Sequence, residues 1–227
     1  MHDIRLFHMA VPGRLHARTF RCLWLLEELA VKPFDLCMVT PGEPYVPVMR
    51  EHGMRHLTKL PALLFDGQEV GESGVICQLL AECFQDKRNL LGAEDERLER
   101  LQWSAFAETC VMLRLPYKQK IMDSNTTLET IRAEVIAPQQ EVLKGNIERF
   151  EAHFRDQNTD YLLKSGFSIA DTMCGWSLYT FSNWGLFDIN GEDSPLTLSY
   201  LERLRARPAF RRTEAYAELS PGLYTIE

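Results

Sequence analysis

The chain has 227 residues, 45% hydrophobic and 25% charged, which suits a globular protein with one large core or two modest ones and excludes disordered and fibrous classes. Its formal net charge is −7 and neither half is conspicuously basic, so a nucleic-acid backbone is not an expected partner. No stretch approaches the roughly 18–20 apolar residues of a membrane span, "MHDIRLFHMAVPG" lacks the features of a secretory leader, and six cysteines without Cys-x-x-Cys spacing fit a reducing compartment, so the expected address is the cytoplasm.

Taken in chain order, "DIRLFHM" alternates partly and predicts a first strand. The loop "AVPGRLHAR" leads into "TFRCLWLLEELAV", where Leu23, Leu26 and Leu29 or Ala30 recur at helical spacing. "FDLCMVT" predicts a second strand, and strand, helix, strand in succession make a βαβ unit with parallel strands and a right-handed crossover. "PGEPYVPVMREHGMRHLT", rich in Pro and Gly, holds at most a short irregular helix. "LPALLF", the turn "DGQ" and a strand starting at "EV" predict a hairpin, after which "SGVICQLLAECF" restores helical spacing.

The polar stretch "QDKRNLLGAED" reads as a linker, so a compact α/β domain is expected over residues 1–84 and a second domain over 94–227. In that second half "ERLERLQWSAFAETCVMLRLPYKQK", "TLETIRAEVIAPQQEVLKGNIERFEAHFRDQ", "SIADTMCGWSLYTFSNWG" and "PLTLSYLERLRARPAF" are amphipathic, and no strand is expected. The predicted fold class is therefore α/β followed by all-α. "SIAD" has the form of a capping box, Ser168 at the N-cap and Asp171 three residues on. The basic cluster "RLRARPAFRR" reads as a solvated helix face.

"TKLPALLFDGQEVGES" carries the densest chemistry. A cis bond at Pro61 would turn the backbone N–H and C=O of Leu60 off the strand ladder, free to pair with a bound peptide. Glu72 and Ser73 stand just before a helix, where a hydroxyl caps free N–H groups and the dipole attracts negative charge. As a plain N-cap the pair is structural. As a binding site, Ser73 and the helix N-terminus would take a carboxylate and Glu72 an ammonium, the two charges of a free α-amino-acid end.

"KLPALLFDGQEVGESGVICQLL" resembles the signature of the cytosolic glutathione transferases. "CLWLLEELAVKPFDL" is similar to that family's first helix and second strand, "GFSIADTMCGW" to its Gly-x-Ser-x-Ala-Asp element, and "YLERLRARPAF" to its late helix ending in Arg-Pro-Ala. The likeness runs over the whole chain. It implies a thioredoxin-like N-terminal domain, an all-helical C-terminal domain contributing an apolar substrate site, glutathione as co-substrate and a homodimer. It further implies that Pro61 is cis, that Leu60 pairs with the cysteinyl part of glutathione, and that Glu72 and Ser73 hold its γ-glutamyl end. Thr58 and Lys59 would approach the glycyl end.

Such a family places a Tyr, Ser or Cys in the first loop to favour the thiolate, because a free thiol near pKa 8.5 is mostly protonated at neutral pH. Aligning backwards from "CLWLLEEL" brings His16 or Ala17 there, and the loop is longer than usual. Thr19 as a hydroxyl donor, Arg14 or Arg18 as a charge, and His16 as either remain the candidates, against ordinary roles as N-cap and solvated loop. Cys22 falls inside the helix and reads as a buried, inert thiol. Phe106, Cys110, Leu113 and Tyr117 share approximate helical spacing and could line an apolar site, but they read first as ordinary core, and no substrate is inferred from them. Glu51 with His52 and His56 lacks a third ligand and a regular helix, and no metal is expected. The expected function is conjugation of the glutathione thiolate to an electrophilic, apolar small molecule. The alternatives are a glutathione-dependent etherase, peroxidase or thiol reductase, and a non-catalytic binding or scaffolding protein on the same fold.

Overall fold

Strands β1 (Ile4–Met9) and β2 (Phe34–Val39) run parallel, with Phe7 opposite Cys37, and helix α1 (Thr19–Glu28) lies between them in sequence. A short helix α2 (Tyr45–Glu51) follows, then the antiparallel pair β3 (Ala62–Phe65) and β4 (Gln68–Gly71), then α3 (Ser73–Cys83). This is the expected βαβ unit and hairpin. The hairpin turns on Asp66 (φ +48) and Gly67 (φ +78), the double positive φ that a two-residue type I′ loop requires. These coordinates are a computed structural model, and it describes residues 2–9, 17–40, 42–111, 127–131, 133, 134, 137, 140–183 and 188–227.

The sheet has five strands in the order β4-β3-β1-β2-β5. Its fifth member corrects the expectation that no strand follows residue 94, because β5 (Gly222–Ile226) pairs antiparallel with β2, Leu36 opposite Tyr224. "GLYTI" follows a Ser-Pro break and is rich in strand formers, but five residues after a long helical run carry too little periodicity to stand out. The chain accordingly forms two compact units, Met1–Leu91 with Arg205–Glu227, and Gly92–Leu204.

One sheet face buries Phe7, Cys37, Val39 and Ala62 with Met49 and Met54, and α2 closes that side through Met49. On α1 every residue from Thr19 to Glu28 is buried, its polar members Thr19, Arg21, Glu27 and Glu28 included. It packs on α3, and its Phe20 and Trp24 meet Phe210 at ring-centroid distances of 5.0 and 4.9 Å.

The second unit contains α4 (Arg97–Val111), α5 (Leu128–Ile131), α6 (Gln140–Gln157), α7 (Ile169–Asn183) and α8 (Pro195–Arg205). Trp103 stacks on Phe150 at 5.0 Å, and Phe154 meets Tyr200 at 4.6 Å. The capping box forms as read. Asp171 Oδ2 accepts the Ser168 N–H at 2.8 Å, and Ser168 Oγ accepts the Ala170 N–H at 3.2 Å. Asp171 Oδ1 also takes the Leu162 N–H (3.0 Å) and the Tyr200 hydroxyl (2.9 Å), so the cap doubles as a buried polar hub. Burial pushes its carboxyl up to about 6 despite these donors.

"PLTLSYLERLRARPAF" is two helices rather than one. Pro208 opens α9 (Pro208–Ala215) at its first turn, and Arg207 before it is extended (φ −64, ψ 133), the conformation a following proline favours. The basic cluster is correspondingly not all solvated. The Arg207 side chain is only 13% exposed and its Nε donates to Glu28 at 2.5 Å, while Arg212 Nε donates to Glu27 at 2.5 Å.

Candidate functional site

One end of the sheet gathers the chemistry. The pairing of Ala62 with Gly71 sets Pro61 beside Glu72 across the hairpin, and the pairing of Phe7 with Ala62 brings the last residues of β1 to the same end. The Leu60-Pro61 bond is cis, as the resemblance implied, and Pro61 is buried while Thr58 and Lys59 are exposed.

Glu72 is the N-cap of α3, exposed, with φ +63 and ψ 117. A non-glycine residue held at positive φ outside the usual left-handed well is strained, and such strain persists only where surrounding structure enforces it. Glu72 makes no side-chain cap bond, and Ser73 is the first helical residue rather than the N-cap, so the plain N-cap role is not the one it plays. It is 2% exposed, and its Oγ receives Nη1 of Arg21 at 3.1 Å. A guanidinium only donates, so the serine oxygen is used as acceptor and its hydrogen stays available to a carboxylate.

Arg21 went unnoticed in the sequence, yet it is fully buried in the first turn of α1. The signal was present: an arginine inside a run as apolar as "TFRCLWLL" has to find an acceptor within the fold. That acceptor, 52 residues away in sequence, was not readable.

Thr19 begins α1, with Arg18 at the N-cap position and no side-chain cap bond. The Thr19 side chain is fully buried, and its hydroxyl has no hydrogen-bond partner among the described residues. His16 and Arg14 lie outside the described residues. Cys22 is fully buried, its sulfur 3.9 Å from the Ser73 carbonyl oxygen. Burial, reinforced by the adjacent Cys77 thiol, pushes its pKa well up, which suits an inert group.

Phe106 is half-buried and engaged, its ring 5.6 Å from Trp103 and 4.1 Å beneath the Arg149 guanidinium. The side chains of Cys110, Leu113 and Tyr117 lie outside the described residues. His52 ends α2 and the chain then turns at Gly53 (φ +96), so His52 and His56 do not share a helix face. Among the described residues no group of three metal-ligating side chains occurs. A groove of about 790 Å³ in the second unit is lined mainly by charge, including Glu141, Lys144, Glu148 and Arg155, and contains none of the candidate residues.

Residues 18–88, which carry Arg21, the cis proline and Ser73, match the family described as the glutathione S-transferase N-terminal domain. That match makes this part of the chain similar to the N-terminal domain of the glutathione S-transferases. Protein LigF of Sphingobium sp. (strain NBRC 103272 / SYK-6) is 27% identical over 187 residues, spanning 67% of this chain and 72% of that protein. The crystal structure of beta-etherase LigF from Sphingobium sp. strain SYK-6 superposes with a TM-score of 0.70 at 21% identity, covering 93% of this chain and 98% of that one. The glutathione S-transferase of Xylella fastidiosa gives a TM-score of 0.72 at 19% identity, covering 96% and 100%. A glutathione S-transferase of Methylobacillus flagellatus KT, solved with GSH bound, gives 0.72 at 16% identity, covering 93% and 98%. At these identities the superpositions speak for the shared transferase fold.

Proposed function

We propose that this chain binds glutathione at the Leu60-Pro61 and Glu72-Ser73 end of its sheet and transfers the thiolate to an electrophilic, apolar small molecule. The observation that carries this reading is the Arg21–Ser73 contact at the N-terminus of α3, because it fixes a buried hydroxyl with its hydrogen free beside a helix dipole. Ser73 and the helix N-terminus would take the γ-glutamyl carboxylate and Glu72 the ammonium, with Leu60 meeting the cysteinyl backbone and Thr58 and Lys59 the glycyl end.

In the reaction the sulfur lone pair forms a bond to the electrophilic carbon as that carbon's bond to its leaving group breaks. The leaving group departs with the electron pair, and the thiol proton goes to solvent. The protein contributes proximity and stabilises the thiolate. Among the candidate activators Thr19, His16 and Arg18, we favour Thr19, whose buried hydroxyl has no hydrogen-bond partner among the described residues and stands at the N-terminus of α1. Thr19→Val should slow turnover on the order of tenfold or more and raise the pKa of the bound thiol, while Thr19→Ser retains activity. The thiolate absorbance of bound glutathione against pH checks it.

A second outcome is favoured by the likeness to LigF, whose structure is described as a beta-etherase. There the same attack would displace an alkoxide or aryloxide from an ether carbon. Product analysis with an aryl halide and an aryl ether separates the two chemistries.

The deciding experiment is calorimetric titration with glutathione of the wild-type chain and a Glu72→Gln, Ser73→Ala double variant. Binding in the wild type that weakens at least tenfold in the variant supports the site, since two charge-assisted contacts are removed. No binding at millimolar glutathione overturns it and favours a scaffold that kept only the fold. Sedimentation of the full chain checks the homodimer that the resemblance implies.

A further inference from the structure

The stretch just before Thr58-Lys59-Leu60-Pro61 has no regular secondary structure, and its backbone groups are taken up by three side chains. Glu69, in β4 opposite Leu64, receives three consecutive backbone N–H groups. Arg55 N–H donates to its Oε1, His56 N–H to Oε1 at 3.0 Å and Oε2 at 2.8 Å, and Leu57 N–H to Oε2 at 2.9 Å. On the carbonyl side, Arg50 Nη1 donates to Met54 at 3.2 Å and Leu57 at 3.0 Å, and the Tyr45 hydroxyl donates to Thr58 at 3.3 Å.

Three successive N–H groups aimed at one point form a cradle for an anion, here filled by the protein's own carboxylate. The same stretch also touches the other half of the candidate site. The Leu57 side chain lies against Gly71, the residue before Glu72, so close that a Cβ there would meet both Leu57 methyls at 3.5 Å. Residues 55–57 are thus tied on one flank to Lys59 and Leu60 and on the other to Glu72.

We propose that Glu69 is a positioning residue for glutathione, its carboxylate setting the path of residues 55–57 so that Thr58, Lys59 and Leu60 are presented opposite Glu72. This rests on the glutathione reading above and adds a residue that touches no ligand. Burial opposes the charge on Glu69, but the Leu57, His56 and Arg55 N–H groups outweigh it and hold the carboxyl below its usual range, so the acceptor is ionised at neutral pH.

The test is calorimetric titration with glutathione of the full chain and of Glu69→Gln, Glu69→Asp and Tyr45→Phe, with thermal midpoints measured alongside. Glu69→Gln turns an amide NH₂ toward backbone donors and should weaken binding roughly tenfold with little change in midpoint. Glu69→Asp keeps the carboxylate and should recover part of the loss. Tyr45→Phe removes only the bond to Thr58 and should weaken binding by about two- to threefold. A side chain that merely stabilised the fold would lower the midpoint and leave affinity intact. Wild-type affinity in Glu69→Gln and Tyr45→Phe overturns this inference alone. Failure of the wild-type chain to bind overturns the glutathione reading and this inference together.

Discussion

His8 has both ring nitrogens without a hydrogen-bond partner among the described residues, in β1 opposite Met38 of β2. Burial pushes its pKa down from 6.5 to about 4. Between those values the unfolded chain holds a proton that the folded chain refuses, so the contribution to stability is complete above pH 6.5 and drains away as pH falls toward 4. At 1.36 kcal/mol per pH unit the loss reaches about 3 kcal/mol. Asp171 acts in the opposite sense. Its carboxyl is raised from 3.8 to about 6, so the fold gains as pH falls across that interval. His8→Leu removes the first effect and keeps the second. Urea denaturation midpoints of the variant and the wild type should therefore separate progressively as pH is lowered from 6.5, with the variant the more stable.

Helix α1 is where local sequence and distant structure meet. Its position and extent were legible because Leu23, Leu26 and their neighbours recur at helical spacing, and the hairpin was legible because Asp-Gly satisfies one turn type. The cis proline was legible through resemblance, and the position of Glu72 and Ser73 at the start of a helix was legible from the helical spacing that follows them. What holds α1 in place was not, because each contact crosses long sequence separations. Glu28, its side chain 3% exposed, collects Trp24 Nε1 at 3.0 Å, Arg88 Nη1 at 2.7 Å and two nitrogens of Arg207. Glu27 takes Arg212 and the Tyr216 hydroxyl. Acids at the end of an amphipathic helix read as solvent-facing until the arginines that cover them are located. Glu28→Ala withdraws the acceptor shared by the buried Trp24, the largely buried Arg207 and the half-exposed Arg88, and should cost about 3–5 kcal/mol, whereas Glu28→Gln keeps an acceptor oxygen and costs less. Urea denaturation of the two variants checks the order.

Across the whole molecule, the return of residues 205–227 to the first unit covers both α1 and the edge of the sheet. β5 hides the backbone of β2, and the Thr225 hydroxyl donates to Asp35 at 3.0 Å, itself paired with Arg5 at 2.7 Å. An open strand edge invites pairing with other chains. A chain shortened after residue 218 should consequently self-associate in light scattering, and its amides in residues 34–39 should exchange hydrogen faster than in the 227-residue chain.

That return also sets an order of events during synthesis. Phe34 cannot meet Ile226 until every residue between them has left the ribosome. At the usual pace of translation the nascent first unit waits on the order of ten seconds with its helix half-covered and its sheet edge bare, while the second unit is made and can fold by itself. In that interval the edge presented to the surroundings is the one formed by β2, and once the tail has docked it is the one formed by β5.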